Sequence, residues 1–184
     1  MTRRPLDNYP TPGKLTRVLA QRVPVRGRVL EPCAGAGQIA AVLGDNWGVD
    51  YVFTNDIDPA FNCTWHEDAA DPNATIWRPY KGKRPDWVVT NPPYKLAMPI
   101  LNNAFQVARV GVAFLLRLSF LEPTKDRATW LSPYPRNLTH LLIFGGPRPS
   151  FTGDGRTDSA TVAWMVWQRD WEGETAVRFV TEWN

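Results

Sequence analysis

Cysteine is scarce in this 184-residue sequence, which contains only Cys33 and Cys63. Two cysteines are too few for a disulfide framework and show no metal-ligand spacing, so they fit a reducing compartment and predict no metal site. Internal repeats and low-complexity tracts are also missing. With 43% apolar residues the chain can bury a sizeable core, and we expect one domain over residues 1–184.

Long apolar runs are absent as well. No stretch approaches the roughly 18 apolar residues of a membrane helix. The first residues, Met1-Thr2-Arg3-Arg4-Pro5, are not followed by the apolar segment of a secretion signal. We therefore expect a cytoplasmic protein without a membrane partner. The net charge of +3 is compatible with a polyanionic partner but does not require one.

A short apolar run at residues 87–90 ends in the segment Asn91-Pro92-Pro93-Tyr94. This pattern predicts a buried strand that delivers a rigid corner to the surface, because proline fixes φ at about −65° and donates no hydrogen bond. The corner offers the Asn91 side chain and the Pro92 carbonyl as acceptors, and the ring of Tyr94. Such a set suits an exocyclic amino group on a planar base.

A second motif follows a predicted strand that starts at Gly27. The strand breaks into a glycine-rich turn that contains Gly35 and Gly37, and a helix is expected over residues 38–43. Glycines let the backbone approach a ligand, and a helix start favours a carboxylate or phosphate. Gly35-x-Gly37-x-x-Ala40, with Asp56 further on, also satisfies the dinucleotide-binding fingerprint, so the turn alone leaves a nicotinamide enzyme open.

The combination of Glu31-Pro32-x-x-Gly-x-Gly with the later Asn-Pro-Pro-Tyr segment resembles S-adenosylmethionine-dependent amino-methyltransferases. A nicotinamide enzyme has no need of the second motif. The resemblance runs from Tyr9 to Trp167. It implies an α/β, Rossmann-like class I methyltransferase fold, with a doubly wound, mostly parallel seven-stranded sheet and an antiparallel seventh strand. It also implies S-adenosyl-L-methionine as cofactor.

Residues that match the family's cofactor site occur before the first strand and at the ends of the next strands. Thr11 and its neighbours would hold the methionine end of the cofactor, Asp56 the ribose hydroxyls and Asp68 the adenine amino group, with Asp71 as second choice. Too few residues separate Asp56 from Asp68 for a helix and a strand, so a loop or single turn is expected there. The full set is Tyr9, Thr11, Pro12, Glu31, Pro32, Gly35, Gly37, Asp56, Ile57 and Asp68.

The remaining elements follow from hydrophobic periodicity. A helix is expected over residues 14–23, with Thr11 and Pro12 as its N-cap and first-turn pair. We interpret His66 as an ordinary polar residue and residues 81–84 as a solvated turn at the amino end of the next strand, away from the site. Further strands are predicted at residues 49–54, 110–118, 140–144, 159–167 and 176–180, and helices at residues 96–108 and 125–131.

A polar, glycine-rich loop at residues 145–158 should lie on the same side as Asn91. Its Arg-Pro-Ser-Phe-Thr-Gly-Asp-Gly run resembles small phage- and prophage-type adenine methyltransferases. In that interpretation Phe151 packs against the second face of a captured base, and Arg148 and Arg156 hold phosphates. The host would be a bacterium or a phage-infected cell.

The resemblance predicts an adenine-specific DNA methyltransferase that acts on N6, with Asn91, Pro92, Pro93 and Tyr94 as catalytic residues and no metal. DNA is the expected partner, and RNA remains possible. The chain shows no large target-recognition region, so weak or very short sequence specificity is expected. Three alternatives stay open: an RNA amino-methyltransferase, a protein glutamine methyltransferase, and a non-catalytic nucleic-acid-binding module with a vestigial cofactor pocket.

Overall fold

The computed structural model describes residues 10–122, 124, 138–146, 148–151 and 160–183. The predicted helix at residues 125–131 lies outside these ranges, as do Tyr9 and Arg156. All three therefore stay predictions from the sequence.

A seven-stranded sheet forms the centre of the fold, in the order β2-β1-β3-β4-β6-β5-β7. The first four strands run parallel to one another. β6 is antiparallel to both of its neighbours, and β7 pairs with β5 in parallel. The strands are β1 (Gly27–Glu31), β2 (Val49–Thr54), β3 (Trp87–Thr90), β4 (Gly111–Arg117), β5 (Leu138–Phe144), β6 (Val162–Gln168) and β7 (Ala176–Val180).

Helices cover both faces of this sheet. The helices are α1 (Gly13–Arg22), α2 (Gln38–Gly44) and α3 (Ala97–Val107). Single-turn 3₁₀ helices occur at Thr75–Trp77, Tyr94–Leu96 and Leu118–Leu121. Within the described ranges, no helix is long and apolar enough to cross a membrane.

The two sides of β4 show how the core is divided. Val112, Phe114 and Leu116 belong to the core cluster that contains the apolar face of α3. Ala113 and Leu115 belong to the cluster that contains the apolar faces of α1 and α2. Side chains of a strand alternate between its faces, so a strand that is buried on both sides reads as a continuous apolar run. This explains why β4 was recognisable from sequence.

The fold class predicted from the sequence is confirmed, with two differences in detail. Beside β2, residues 55–86 form only one parallel bridge, between Asn55 and Trp65, and no further strand. The antiparallel strand expected as the seventh is therefore the sixth in chain order, and the last strand is a parallel edge strand. The expected loop between Asp56 and Asp68 is present, because neither a helix nor a strand occurs between them.

The start of α1 also differs from the prediction. Pro12, rather than Thr11, occupies the N-cap position, and no side-chain hydrogen bond caps the helix. The Pro12 carbonyl instead accepts a hydrogen bond from the backbone N–H of Leu15 at 2.9 Å. The hydroxyl of Thr11 is therefore available for another partner.

Candidate functional site

A cavity of about 530 Å³ opens at the carboxyl ends of the parallel strands. Parallel strands deliver the residues that follow them to one edge of the sheet, so segments far apart in sequence meet there. The residues predicted from sequence that line this cavity are Thr11, Glu31, Pro32, Gly35, Asp56, Ile57, Asp68, Asn91 and Pro93. Pro12 and Gly37 lie nearby in the chain but are not part of the lining.

Glu31 ends β1 and is 1% exposed. Its Oε2 atom is buried and has no hydrogen-bond partner among the described residues. Burial raises the pKa of this carboxyl well above its usual value of 4.5; a backbone hydrogen bond from Ala40 lowers it, and the charge of Asp56 raises it. A buried carboxylate with an unsatisfied oxygen is unstable alone, and a cationic group in the cavity would compensate it.

Asp56 follows β2 and faces the glycine-rich turn. Its Oδ2 atom accepts a hydrogen bond from the Gly35 N–H at 2.7 Å, and its Oδ1 atom accepts one from the Asp58 N–H at 3.0 Å. These bonds fix the orientation of the carboxylate. Each carboxylate oxygen has a second lone pair, so Asp56 can still accept hydrogen bonds from a ligand.

Asn55, which sequence reasoning overlooked, ties the walls of the cavity together. It is fully buried, and its Nδ2 atom donates to the carbonyls of Pro32 at 2.9 Å and Glu67 at 3.0 Å. Its Oδ1 atom accepts from the N–H of Glu67 at 2.9 Å. One side chain thus joins the ends of β1 and β2 to the segment before Asp68. The sequence pattern that could have indicated this role is a polar residue directly after an apolar strand.

The Asn91 corner reaches the cavity from β3. The Asn91 Nδ2 atom donates to the Thr11 hydroxyl at 3.0 Å, across 80 positions of sequence. Thr11 is 5% exposed, so this bond is shielded from water. Because the side-chain amide nitrogen of Asn91 is directed toward Thr11, its amide oxygen is directed away from Thr11. Thr11 therefore helps to orient the Asn91 amide.

Tyr94 and Pro92 contribute differently from Asn91. Pro92 is buried and Tyr94 is half-buried, and neither is part of the cavity lining. The guanidinium carbon of Arg117 lies 4.7 Å from the centre of the Tyr94 ring. Arg117 ends β4, next to β3 in the sheet, so its charge lies at the edge that carries the cavity. Sequence alone did not show whether this arginine belonged to the site.

The loop after β5 does not match its predicted role in full. Arg148 is exposed, as a phosphate-binding residue must be. Phe151 was expected to stack on a base, and this prediction is wrong for the described conformation. Its side chain is 3% exposed and belongs to the core cluster shared with Phe144 and Val180. The apolar ring gains more by leaving water than the polar sequence around it suggested.

Several other residues of the lining were not predicted. Lys95 and Leu96 follow the Asn91 corner directly, and Phe61 and Glu67 come from the loop after Asp56. Only their proximity in sequence to predicted residues could have indicated them. Within the described ranges, no group of three His, Cys, Asp or Glu residues could hold a metal ion.

The sequence matches no protein-family model and no curated protein sequence. Solved structures do resemble the fold. The 23S rRNA methyltransferase ErmE gives a TM-score of 0.66 at 18% identity, over 88% of this chain and 70% of that chain. A type I restriction-modification methyltransferase subunit from Streptococcus thermophilus gives 0.65 at 13% identity, over 94% and 47%. TrmN from Thermus thermophilus gives 0.57 at 18% identity, over 84% and 48%.

This chain has the class I methyltransferase fold. It spans less than half the length of the Streptococcus subunit and of TrmN. Identities this low concern the fold alone, because one fold carries many activities. The methyltransferase fold does explain why the cavity lies where it does, since ligands of doubly wound sheets bind beyond the carboxyl ends of the strands.

Proposed function

We propose that this protein is an S-adenosylmethionine-dependent methyltransferase that methylates the N6 amino group of adenine in DNA, with low or short sequence specificity. The observation that carries the proposal is that Asn91 lines the same cavity as Glu31 and Asp56. A cofactor-type turn and an amino-group-binding corner thus share one space of about 530 Å³. This volume falls in the usual range for small-molecule sites.

The lining fits two polar parts of the cofactor. The unsatisfied Oε2 atom of Glu31 suits the cationic amino group of the methionine part. The fixed carboxylate of Asp56 suits the ribose hydroxyls. The exposed side chain of Ile57 offers apolar surface to the adenine ring. When bound, the cofactor supplies an electrophilic methyl group on a sulfonium.

Asn91 and Pro92 would then prepare the amino group for attack. The lone pair of an adenine amino group is delocalised into the ring, which makes it a poor nucleophile. Hydrogen bonds from the amino group to the Asn91 side-chain oxygen and the Pro92 carbonyl would localise that lone pair. These bonds strengthen as positive charge develops on the nitrogen, so they favour the transition state over the ground state.

Tyr94 would orient the base by stacking. Arg117 lies 4.7 Å from the ring centre, and this cation–π contact restricts the ring to one orientation. A fixed Tyr94 ring would hold the adenine amino group in one position, which would lower the entropic part of the activation barrier for methyl transfer. Arg148, exposed at the same edge, would contact a phosphate of the substrate.

An RNA base amino group is the second candidate, and the likeness to the 23S rRNA methyltransferase ErmE favours it. The corner at Asn91 recognises an unpaired base, whichever sugar carries it. DNA stays first because the motifs resemble the small adenine methyltransferases.

The test offers labelled S-adenosylmethionine with duplex DNA, single-stranded DNA and RNA, followed by nucleoside mass spectrometry. We expect labelled N6-methyladenine in DNA. Asn91→Ala should abolish transfer while calorimetric cofactor affinity is retained, and Asp56→Ala should first weaken that affinity. Label in RNA alone would select the second candidate. Cofactor binding without label in any nucleic acid would refute the proposal and point to a protein glutamine or to a binding module.

A further inference from the structure

A second concave surface lies at the opposite edge of the sheet, where the parallel strands begin. It encloses about 880 Å³, and the described residues of its lining are all different from those of the cofactor cavity. We call it the amino-edge surface and define it by five residues that line it, Arg28, Tyr51, Lys83, Arg84 and Arg109, and by the neighbouring Tyr80, whose backbone pairs with that of Lys83. β1 has five residues, so about 16 Å of strand separates the two edges.

The amino-edge surface carries an excess of positive charge. Its lining contains four basic side chains and two acidic ones, Asp50 and Asp86. The Asp86 carboxylate forms ion pairs with two arginines, with nitrogen–oxygen distances of 3.0 Å to Arg109 and 3.7 Å to Arg28. Among the described residues, no ion pair is found for the exposed side chains of Lys83 and Arg84. These two charges can therefore accept an anionic partner without breaking an existing pair.

Exposed aromatic rings lie beside these charges. Tyr51 is 55% exposed and Tyr80 is 41% exposed. Phe53 supports both, with ring centres 4.5 Å from Tyr51 and 5.0 Å from Tyr80. The two tyrosines are thus held in place while part of each ring faces water. Exposed rings that are already fixed lose little conformational entropy when a planar group stacks on them.

A tight backbone turn carries the basic residues Lys81 and Lys83. Tyr80 and Lys83 exchange two backbone hydrogen bonds of 3.0 Å, and both residues between them have positive φ, 48° at Lys81 and 74° at Gly82. The prediction of a turn here is confirmed. The Lys81 ammonium lies 5.4 Å from the Tyr80 ring centre. The turn therefore holds a ring and several cations together.

We propose that the amino-edge surface binds a single-stranded stretch of nucleic acid. Cations that track phosphates, interleaved with rings that stack on unpaired bases, are the features that bind single strands without sequence preference. A duplex could use the charges but not the rings, because its bases are already stacked. The surface would hold an unpaired segment of the chain remote from the base that enters the cofactor cavity.

Fluorescence anisotropy with labelled oligo(dU), oligo(U) and a DNA duplex tests this inference. Arg84→Gln should weaken single-strand binding and reduce the salt slope by about 0.7, the value for one phosphate contact on a single strand. Tyr80→Leu should weaken binding about tenfold with an unchanged salt slope, because it removes an aromatic ring and leaves every charged side chain in the sequence. Whichever oligomer is bound more tightly by the parent identifies the preferred sugar.

Arg178→Gln is the matched control, since Arg178 is an exposed arginine on the edge strand β7 at the other side of the sheet. It should leave affinity and salt slope unchanged. The inference is overturned if Arg178→Gln acts like Arg84→Gln, if Tyr80→Leu binds single strands like the parent, or if Tyr80→Leu lowers duplex binding as much as single-strand binding. Calorimetric cofactor affinity should be unaffected in all three variants, which separates this result from any failure of the proposed reaction.

Discussion

Replacing Asn55 by alanine should destabilise the fold and open the cofactor cavity. Asn55 is fully buried, and its side chain makes three hydrogen bonds, to the Pro32 carbonyl and to both the carbonyl and the N–H of Glu67. Alanine removes all three without offering a replacement. The segment before Asp68 then loses its side-chain link to the ends of β1 and β2.

The expected magnitude follows from these contacts. A hydrogen bond in a protein contributes about 1 kcal/mol net, so three amount to about 3 kcal/mol. Pro32 is buried and its carbonyl would lose its partner out of reach of water, which adds about 1–3 kcal/mol. Glu67 is half-buried, so hydrogen bonds to water can replace part of the two hydrogen bonds that its backbone loses. We therefore expect a loss of about 3–5 kcal/mol, a large share of a typical domain stability.

Urea unfolding followed by circular dichroism measures this loss, with Asn46→Ala as the matched control. The Asn46 side chain is half-buried and donates one long hydrogen bond, 3.5 Å to the Val25 carbonyl, so its loss should stay below about 1 kcal/mol. Asn55→Asp should be worse than alanine at neutral pH and recover on acidification, because a protonated carboxyl regains a donor. If Asn55→Ala loses no more than Asn46→Ala, the assignment of Asn55 as the joint of the cavity is wrong.

Three further outcomes follow from the same geometry. Thr11→Val should lower kcat about tenfold with little change in cofactor affinity, because the Asn91 amide loses its 3.0 Å partner, whereas Thr11→Ser should retain activity. The parent should lose stability relative to Glu31→Gln as the pH rises above 4.5. The raised pKa of Glu31 in the folded state favours the protonated native form, and this advantage is lost when the carboxyl ionises. Urea unfolding of both proteins over a pH series measures the effect. Gly111→Ala should cost about 3 kcal/mol in urea unfolding, because the new carbon would lie 2.5 Å from the Trp87 ring.

The strands and helices were predictable because their signals are local. β2 was predicted with its observed bounds, and α1 was displaced by one residue. Alternation, apolar runs and glycine breaks depend only on neighbours in the chain, so the sequence contains them directly. The fold class then followed from the family resemblance carried by the two motifs and from the order of the elements.

The parts that sequence did not reveal depend on partners far away in the chain. Thr11 resembled a helix cap, but its hydroxyl accepts from Asn91, 80 positions later. Phe151 lies in a polar stretch, yet its ring is buried with residues of β5 and β7. Asn55 was given no role from the sequence, whereas its side chain bonds to the carbonyls of Pro32 and Glu67. In each case, a contact between residues far apart in the chain determines what the side chain does, and the local sequence did not show it.

The shortened connection after β2 links the two proposed binding surfaces. Beyond β2 the described chain forms only the single bridge between Asn55 and Trp65, so β2 is the edge strand of the sheet. Its carboxyl end presents Asp56 to the cofactor cavity, and its amino end leaves Tyr51 exposed on the amino-edge surface. A strand paired to β2 along its whole length would cover this edge. The edge position of β2 therefore leaves exposed the ring that the second proposed surface uses.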